Sequence, residues 1–266
     1  MNIKTAHKQM LAAATRYGMT DKIINPENTS GVSIFDPVLC ELSYRWFCPP
    51  GGRILDPFAG GSVRGIVASV LGYNYFGVDL REEQIEANRE QAIEICEDNQ
   101  PTWICGDSKN IIDLSPGHYD LIFTCPPYAD LEVYSDNPQD ISTMPYPEFS
   151  KALGEIISRS ASMLKENRFA VIVVGEVRDK NGFYYSFVPD VIQHFKDAGM
   201  EYYNEAILIT QIGTLPIRAG NYFTTSRKFG KTHQNVLVFV KGDPKKATED
   251  IGEVDFGVVE VEEPSE

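Results

Sequence analysis

The sequence predicts an α/β domain: a mostly parallel, twisted sheet with helices on both faces and an antiparallel pair at one edge. Three observations predict it. Short apolar runs alternate with segments of helical period, the pattern of βαβ units. The runs are rich in Val, Ile, Leu and aromatic residues, as strands buried on both faces are. Four successive runs end in an acid or a proline pair, so candidate functional groups recur at strand ends. In parallel sheets, ligands bind outside the carboxyl ends of the strands.

Composition bounds the rest. At 266 residues, 42% hydrophobic and 11% aromatic, the chain has room for one large domain with additions. No apolar run approaches the ~20 residues that span a bilayer, and no apolar signal segment follows Lys4 and Lys8, so a cytoplasmic protein is expected. Cys40, Cys48, Cys96, Cys105 and Cys125 are scattered, which points to reduced thiols and no structural metal. The net charge of −14 argues against binding nucleic acid through the global field. Eight of the acids fall in Glu249–Glu266, which holds no Lys or Arg, so a surface patch elsewhere can still be basic.

Taken in order, residues 1–30 read as a helix and an arm, 31–246 as the main domain, and 247–266 as an acidic, flexible tail. Asp36-Pro37 starts a helix, with an N-cap and a proline in its first turn. Val38, Leu39, Leu42, Trp46 and Phe47 form its apolar stripe, and Pro49-Pro50-Gly51 stops it. The strand Arg53-Ile54-Leu55 runs into a glycine turn, Asp56-Pro57-Phe58-Ala59-Gly60-Gly61-Ser62, and a helix from Val63 to Leu71. Tyr73–Val78 is a strand closed by Asp79, Glu82–Glu94 a helix, Thr102–Cys105 a strand closed by Gly106-Asp107, and Asp120–Thr124 a strand closed by prolines. Pro147–Leu164 reads as a helix, Phe169–Gly175 as the most hydrophobic strand, and Val188–Ala198 as a helix. Ala206–Ile209 and Val236–Val240 form the antiparallel edge pair, joined by a polar loop over 211–235.

The candidate sites lie at the strand ends. In Cys125-Pro126-Pro127-Tyr128 the prolines hold the carbonyls of residues 125 and 126 in an outward row, and Tyr128 adds an aromatic face. Acceptors beside an aromatic plate suit a planar substrate bearing an NH2 group, such as a nucleobase out of its stack. The alternative is a simple turn with Tyr128 in the core. Gly60 and Gly61 let the backbone approach a ligand at a helix N-terminus. Asp79 is placed to accept ribose hydroxyls and Asp107 an adenine amino group. Taken singly, such acids cap helices, but three at successive strand ends outline a nucleoside-shaped site. Neither GxGxxG nor a P-loop is present.

Together, Ile54–Ser62 and Thr124–Tyr128 resemble the amino-group DNA methyltransferases, and the likeness extends over roughly residues 32–246. The resemblance implies a Rossmann-like class I methyltransferase fold and S-adenosylmethionine as cofactor. It implies methyl transfer to N4 of cytosine or N6 of adenine in a flipped base of DNA, as in restriction–modification and phage enzymes. Asp56, Phe58, Gly60, Gly61, Asp79 and Asp107 would then bind the cofactor. Tyr128 would stack on the base, and Pro126 and Cys125 would accept from its amino group, with Pro127 stiffening the loop. The family carries Asp, Asn or Ser where this chain has Cys125. Cys is nearest to Ser, which tilts the expectation to cytosine N4. A nucleophilic Cys125, as in C5 methylation, is the alternative chemistry.

The segment Gln211–Asn235 has no acid and carries Arg218, Arg227, Lys228 and Lys231 among Tyr222, Phe223 and Phe229, which suits phosphate contact and base stacking. Arg178, in a turn after the longest strand, is a further candidate for the pocket. Two other readings use the same residues: an RNA base methyltransferase, and a non-catalytic cofactor-binding module acting through protein partners.

Overall fold

The structure, a computed structural model, describes residues 35–96, 98–128, 137–210 and 215–254, and of residues 216–218 the backbone alone. The expected N-terminal helix and arm, residues 129–136 and the tail from 255 onward lie outside the described residues.

Helix α1 (Pro37–Phe47) precedes strand β1 (Arg53–Asp56), helix α2 (Val63–Val70), strand β2 (Asn74–Asp79), helix α3 (Glu82–Ile95) and strand β3 (Thr102–Cys105). A 3-10 turn and a one-turn helix, α4 (Ile111–Leu114), lead to β4 (Tyr119–Thr124). Helix α5 (Tyr146–Met163) runs directly into β5 (Leu164–Val174), followed by α6 (Phe187–Asp197) and β6 (Glu201–Ile209). Helix α7 (Leu215–Ser226), β7 (His233–Lys241) and α8 (Pro244–Ile251) follow. The sheet order is β3-β2-β1-β4-β5-β7-β6. All pairs are parallel except those of β7, which runs antiparallel to both β5 and β6. The expected antiparallel pair is therefore present, with β6 at the edge and β7 inside it. No described helix is long and apolar enough to cross a membrane.

Strand alternation splits the core into two layers. Phe169, Val171 and Val173 of β5 face one layer, with Tyr44, Ile66, Phe123 and Ala247. Ala170, Ile172 and Val174 face the other, with Phe149, Val191 and Phe195. Being covered on both faces is why β4 and β5 read as continuous apolar runs.

Three expectations are corrected. Helix α1 begins as expected, with Asp36 accepting from the Val38 and Leu39 amides at 2.8 and 3.3 Å. Its buried face, however, is Pro37, Cys40, Ser43 and Tyr44, while Trp46 is exposed. The small residues let α1 close on α2, where the Tyr44 hydroxyl donates to the Arg64 carbonyl at 2.9 Å. The polar loop over 211–235 contains helix α7. The tail does not begin at 247: α8 continues to Ile251, with Ala247 fully buried and Asp250 paired to Arg168 at 2.6 Å.

Candidate active site

From β1 the chain winds outward through β2 to β3, then returns to the other side of β1 as β4 and continues to β5. The order reverses between β1 and β4, and a doubly wound sheet opens its ligand crevice at that point. The Asp56 loop leaves β1 there and Cys125-Pro126-Pro127-Tyr128 leaves β4 beside it.

The two loops meet on Asp56, which is fully buried. Its Oδ1 accepts from the Phe58 amide at 3.1 Å and the Thr124 hydroxyl at 2.6 Å. Its Oδ2 accepts from Arg64 Nε at 2.6 Å and the Tyr75 hydroxyl at 2.7 Å. Burial works against the Arg64 charge, yet Asp56 beside it holds the guanidinium above its usual range. The same guanidinium donates to the carbonyls of Phe58 and Ala59 and lies 4.7 Å from the centre of the Phe35 ring. Both oxygens of Asp56, expected at the cofactor, are engaged by protein donors, and the carboxylate binds the two loops together from beneath. Arg64, Tyr75 and Thr124 had been given no role in the sequence reading. Arg64 carried a signal, a lone cation inside an otherwise apolar helix.

Above this bracket the glycine turn reaches the surface. Gly60 has φ of +51°, a left-handed conformation that suits glycine. Its amide donates to Asp79 Oδ2 at 2.9 Å, and Asn88 Nδ2 donates to its carbonyl at 2.7 Å. A Cβ built on Gly61 meets nothing within 4 Å, so the turn stands open beside Gly60. Ser62 does not cap α2 and bonds Gln91 at 2.5 Å instead, which leaves the first amides of α2 without a side-chain partner. Phe58 is half-buried against the second core layer. Burial raises the Asp79 carboxyl above its usual value, against the Gly60 and Arg81 amides that lower it. Asp107, half-buried, accepts from the Lys109 amide at 2.9 Å and caps the 3-10 turn after β3. An open glycine turn, uncapped helix amides and half-buried acids at the ends of β2 and β3 fit a nucleoside carrying an amino-acid carboxylate.

On the β4 side, Pro126 is buried, and Cys125, Pro127 and Tyr128 are half-buried. The Tyr128 ring meets Phe187 edge-on, at 6.0 Å and 83°. Its hydroxyl lies 3.7 Å from Cys125 Sγ and accepts from Gln234 Nε2 at 2.5 Å. Gln234, in β7, falls at the end of the expected polar loop and has no assigned role in the sequence analysis; no local pattern marks it, because the contact depends on sheet order. Glu176 accepts from the Phe187 and Val188 amides, both at 3.2 Å, and fixes the start of α6 next to Tyr128.

Of the cations expected to meet nucleic acid, Arg178 lies in the hairpin after β5, Arg218 in α7, and Arg227, Lys228 and Lys231 between α7 and β7. Arg178 does not stand free: its guanidinium lies 3.8 Å from the centre of the Tyr184 ring and donates to the Gly182 carbonyl at 2.7 Å, within its own hairpin. Arg227 folds onto Phe223, and Lys231 is half-buried, its pKa lowered by burial against the pull of Glu176. Lys228 lies against the hairpin, where a Cβ on Gly182 would run into its Nζ. Arg218 sits within α7. Phe183 and Phe229 are 72% and 80% exposed. No group of metal-ligating residues occurs among the described residues.

A family model described as DNA methylase matches residues 119–262, just over half of the chain, from β4 through α8. No curated protein matches. Among solved structures, TrmN from Thermus thermophilus is 16% identical with a TM-score of 0.53, over 80% of this chain and 51% of that one. The chain thus spans about half the length of TrmN. A methyltransferase from Pyrococcus furiosus is 13% identical with a TM-score of 0.51, over 88% and 100% of the two chains. The [4+2]-cyclase SpnF is 14% identical with a TM-score of 0.53, over 81% and 86%. At these identities the likeness shows the fold, Rossmann-like and of the class I methyltransferase type. A cyclase on the same fold is a reminder that chemistry resides in the site.

Proposed function

Because the chain belongs to the N6/N4 DNA methylase family, whose members use S-adenosylmethionine, we propose that it methylates an exocyclic amino group of a base flipped out of DNA. The observation that carries this reading is the Asp56 bracket, which joins a glycine turn to the Cys125–Tyr128 loop across the β1/β4 switch point. When bound, the cofactor supplies an electrophilic methyl group on a sulfonium.

The chain's own part is positioning and polarisation. Asp79 takes the ribose hydroxyls, Asp107 an adenine amino group, and the open turn at Phe58, Gly60 and Gly61 the amino-acid portion. Tyr128 stacks on the target base. The Pro126 carbonyl and the Cys125 side chain accept from its amino group, orienting the nitrogen lone pair toward the methyl. A thiol accepts weakly, so the carbonyl carries most of that polarisation. Cytosine N4 is the favoured position, because Cys125 stands in for a serine of nearly the same shape. The cations Arg178, Arg218, Arg227, Lys228 and Lys231, with Phe183 and Phe229, form the nucleic-acid face.

The test is transfer of labelled methyl from S-adenosylmethionine to DNA or RNA in competition. Label in DNA, strongly reduced in Tyr128→Ala while cofactor binding persists, is the expected result. Label confined to RNA would move the reading to an RNA base methyltransferase, and tight cofactor binding without transfer to either would make the protein a binding module.

A further inference from the structure

We propose that Gln234 is a positioning residue for the transfer step, holding the Tyr128 ring and, through its hydroxyl, the Cys125 thiol. The inference rests on the assignment of Tyr128 and Cys125 to the target base and adds the group that fixes them.

Among the described residues, two contacts bear on the placing of the Tyr128 ring. Phe187 meets the ring edge-on at 6.0 Å, which limits sliding, and Gln234 Nε2 donates to the hydroxyl at 2.5 Å, which limits swinging. A phenol hydroxyl carries one proton and lone pairs that accept. Gln234 donates into a lone pair, and Cys125 Sγ, 3.7 Å away, is a neighbour with which the hydroxyl can share a further hydrogen bond. Gln234, Tyr128 and Cys125 therefore form a relay of contacts from β7 to the loop after β4. The relay gives a weakly directional thiol a defined orientation, which a serine or asparagine obtains from its own stronger hydrogen bonds.

Gln234 is itself held by the sheet. It pairs with Leu208 across β6 and β7, and its Cγ lies 3.8 Å from where a Cβ on Gly175 would stand, at the end of β5. It also lies near the end of the proposed nucleic-acid segment, directly after Lys231-Thr232-His233. A rigid strand residue thus joins the surface that would read the substrate to the ring that would stack on the base.

The test compares Gln234→Leu, Tyr128→Phe and the double variant. Each single change is expected to lower kcat by about three- to tenfold, the value of one hydrogen bond. The double variant should be no worse than the weaker single, and cofactor affinity should stay unchanged. The second readout needs no turnover: the rate of Cys125 alkylation by iodoacetamide, followed by mass spectrometry of its peptide. It should rise severalfold in Gln234→Leu and Tyr128→Phe alike. Additive losses in kcat, or alkylation unchanged from wild type, would overturn the proposal. If wild-type protein methylates no base, the functional reading fails and alkylation alone decides the positioning role. Gln234→Met serves if Gln234→Leu does not fold, and Tyr128→Phe, which keeps the ring, decides if neither does.

Discussion

The two sides of the β1/β4 switch point are built differently. On the β1–β3 side, Asp56, Arg64, Tyr75 and Gly60 are locked by hydrogen bonds among buried or half-buried groups. On the β4–β7 side, Tyr128 is half-buried, and beyond it Phe183, Tyr184, Phe223 and Phe229 stand exposed with arginines folded onto two of them. The contrast fits a small ligand that needs a preformed cradle and a long polymer that needs an open, adaptable face. A mutation should therefore act on stability on one side and on substrate affinity on the other.

The largest expected effect is on the locked side. Asp56→Ala leaves Arg64 buried without its partner and should cost ~3–5 kcal/mol of stability, measured by denaturant unfolding. Adding Arg64→Met, which removes the orphaned charge, should recover part of that loss. If Asp56→Ala unfolds like wild type, the bracket is not what holds the loops.

Tyr128→Ala should lower kcat/KM by about ten- to a hundredfold through lost stacking on the base, while calorimetry shows cofactor affinity intact. A parallel fall in cofactor affinity would mean that the two sides are not separable.

Phe183→Ala and Phe229→Ala should leave unfolding within about 0.5 kcal/mol of wild type, because both rings are exposed. Each should weaken nucleic-acid binding by about 1–3 kcal/mol. Lys228→Ala should reduce the slope of log affinity against log salt by about one. Fluorescence anisotropy at several salt concentrations reads both effects.

The smallest effect concerns the seam between the sides, at the end of the sheet away from the crevice. Asp120 of β4 accepts from the Arg53 amide of β1 at 3.0 Å and pairs with Lys165 and Arg168 of β5 at 2.8 and 3.1 Å. Burial alone would raise its carboxyl, but these donors outweigh it and hold the pKa below the usual value. A depressed pKa contributes stability above the unfolded value, which is lost as pH falls through the folded one. Asp120→Asn should therefore be destabilising at neutral pH, by about 1 kcal/mol, with the gap to wild type closing below about pH 4. A gap that widens on acidification would contradict the pairing.

Much of the fold was legible because burial on both faces writes itself into sequence. Strands β1 to β5 appear as apolar runs, and Asp36-Pro37 announces its helix. Helix α7 was not legible: Pro216, Gly220, Asn221 and the Thr224-Thr225-Ser226 end are weak helix formers, so it read as a loop. Asp56 was legible but its partners Arg64, Tyr75 and Thr124 were not, since a motif does not say which donors a buried carboxylate meets. Gln234 reaches Tyr128 only because β7 inserts antiparallel beside β5, a pairing between segments far apart in the chain.

The most direct test of the central claim is nucleoside mass spectrometry of DNA methylated by the purified protein. N4-methylcytosine, reduced about ten- to a hundredfold with Tyr128→Ala and retained or raised with Cys125→Ser, is the predicted result; N6-methyladenine would keep the reaction class and change the base. C5-methylcytosine abolished by Cys125→Ser would contradict the account, because it would make Cys125 a nucleophile rather than part of an acceptor row.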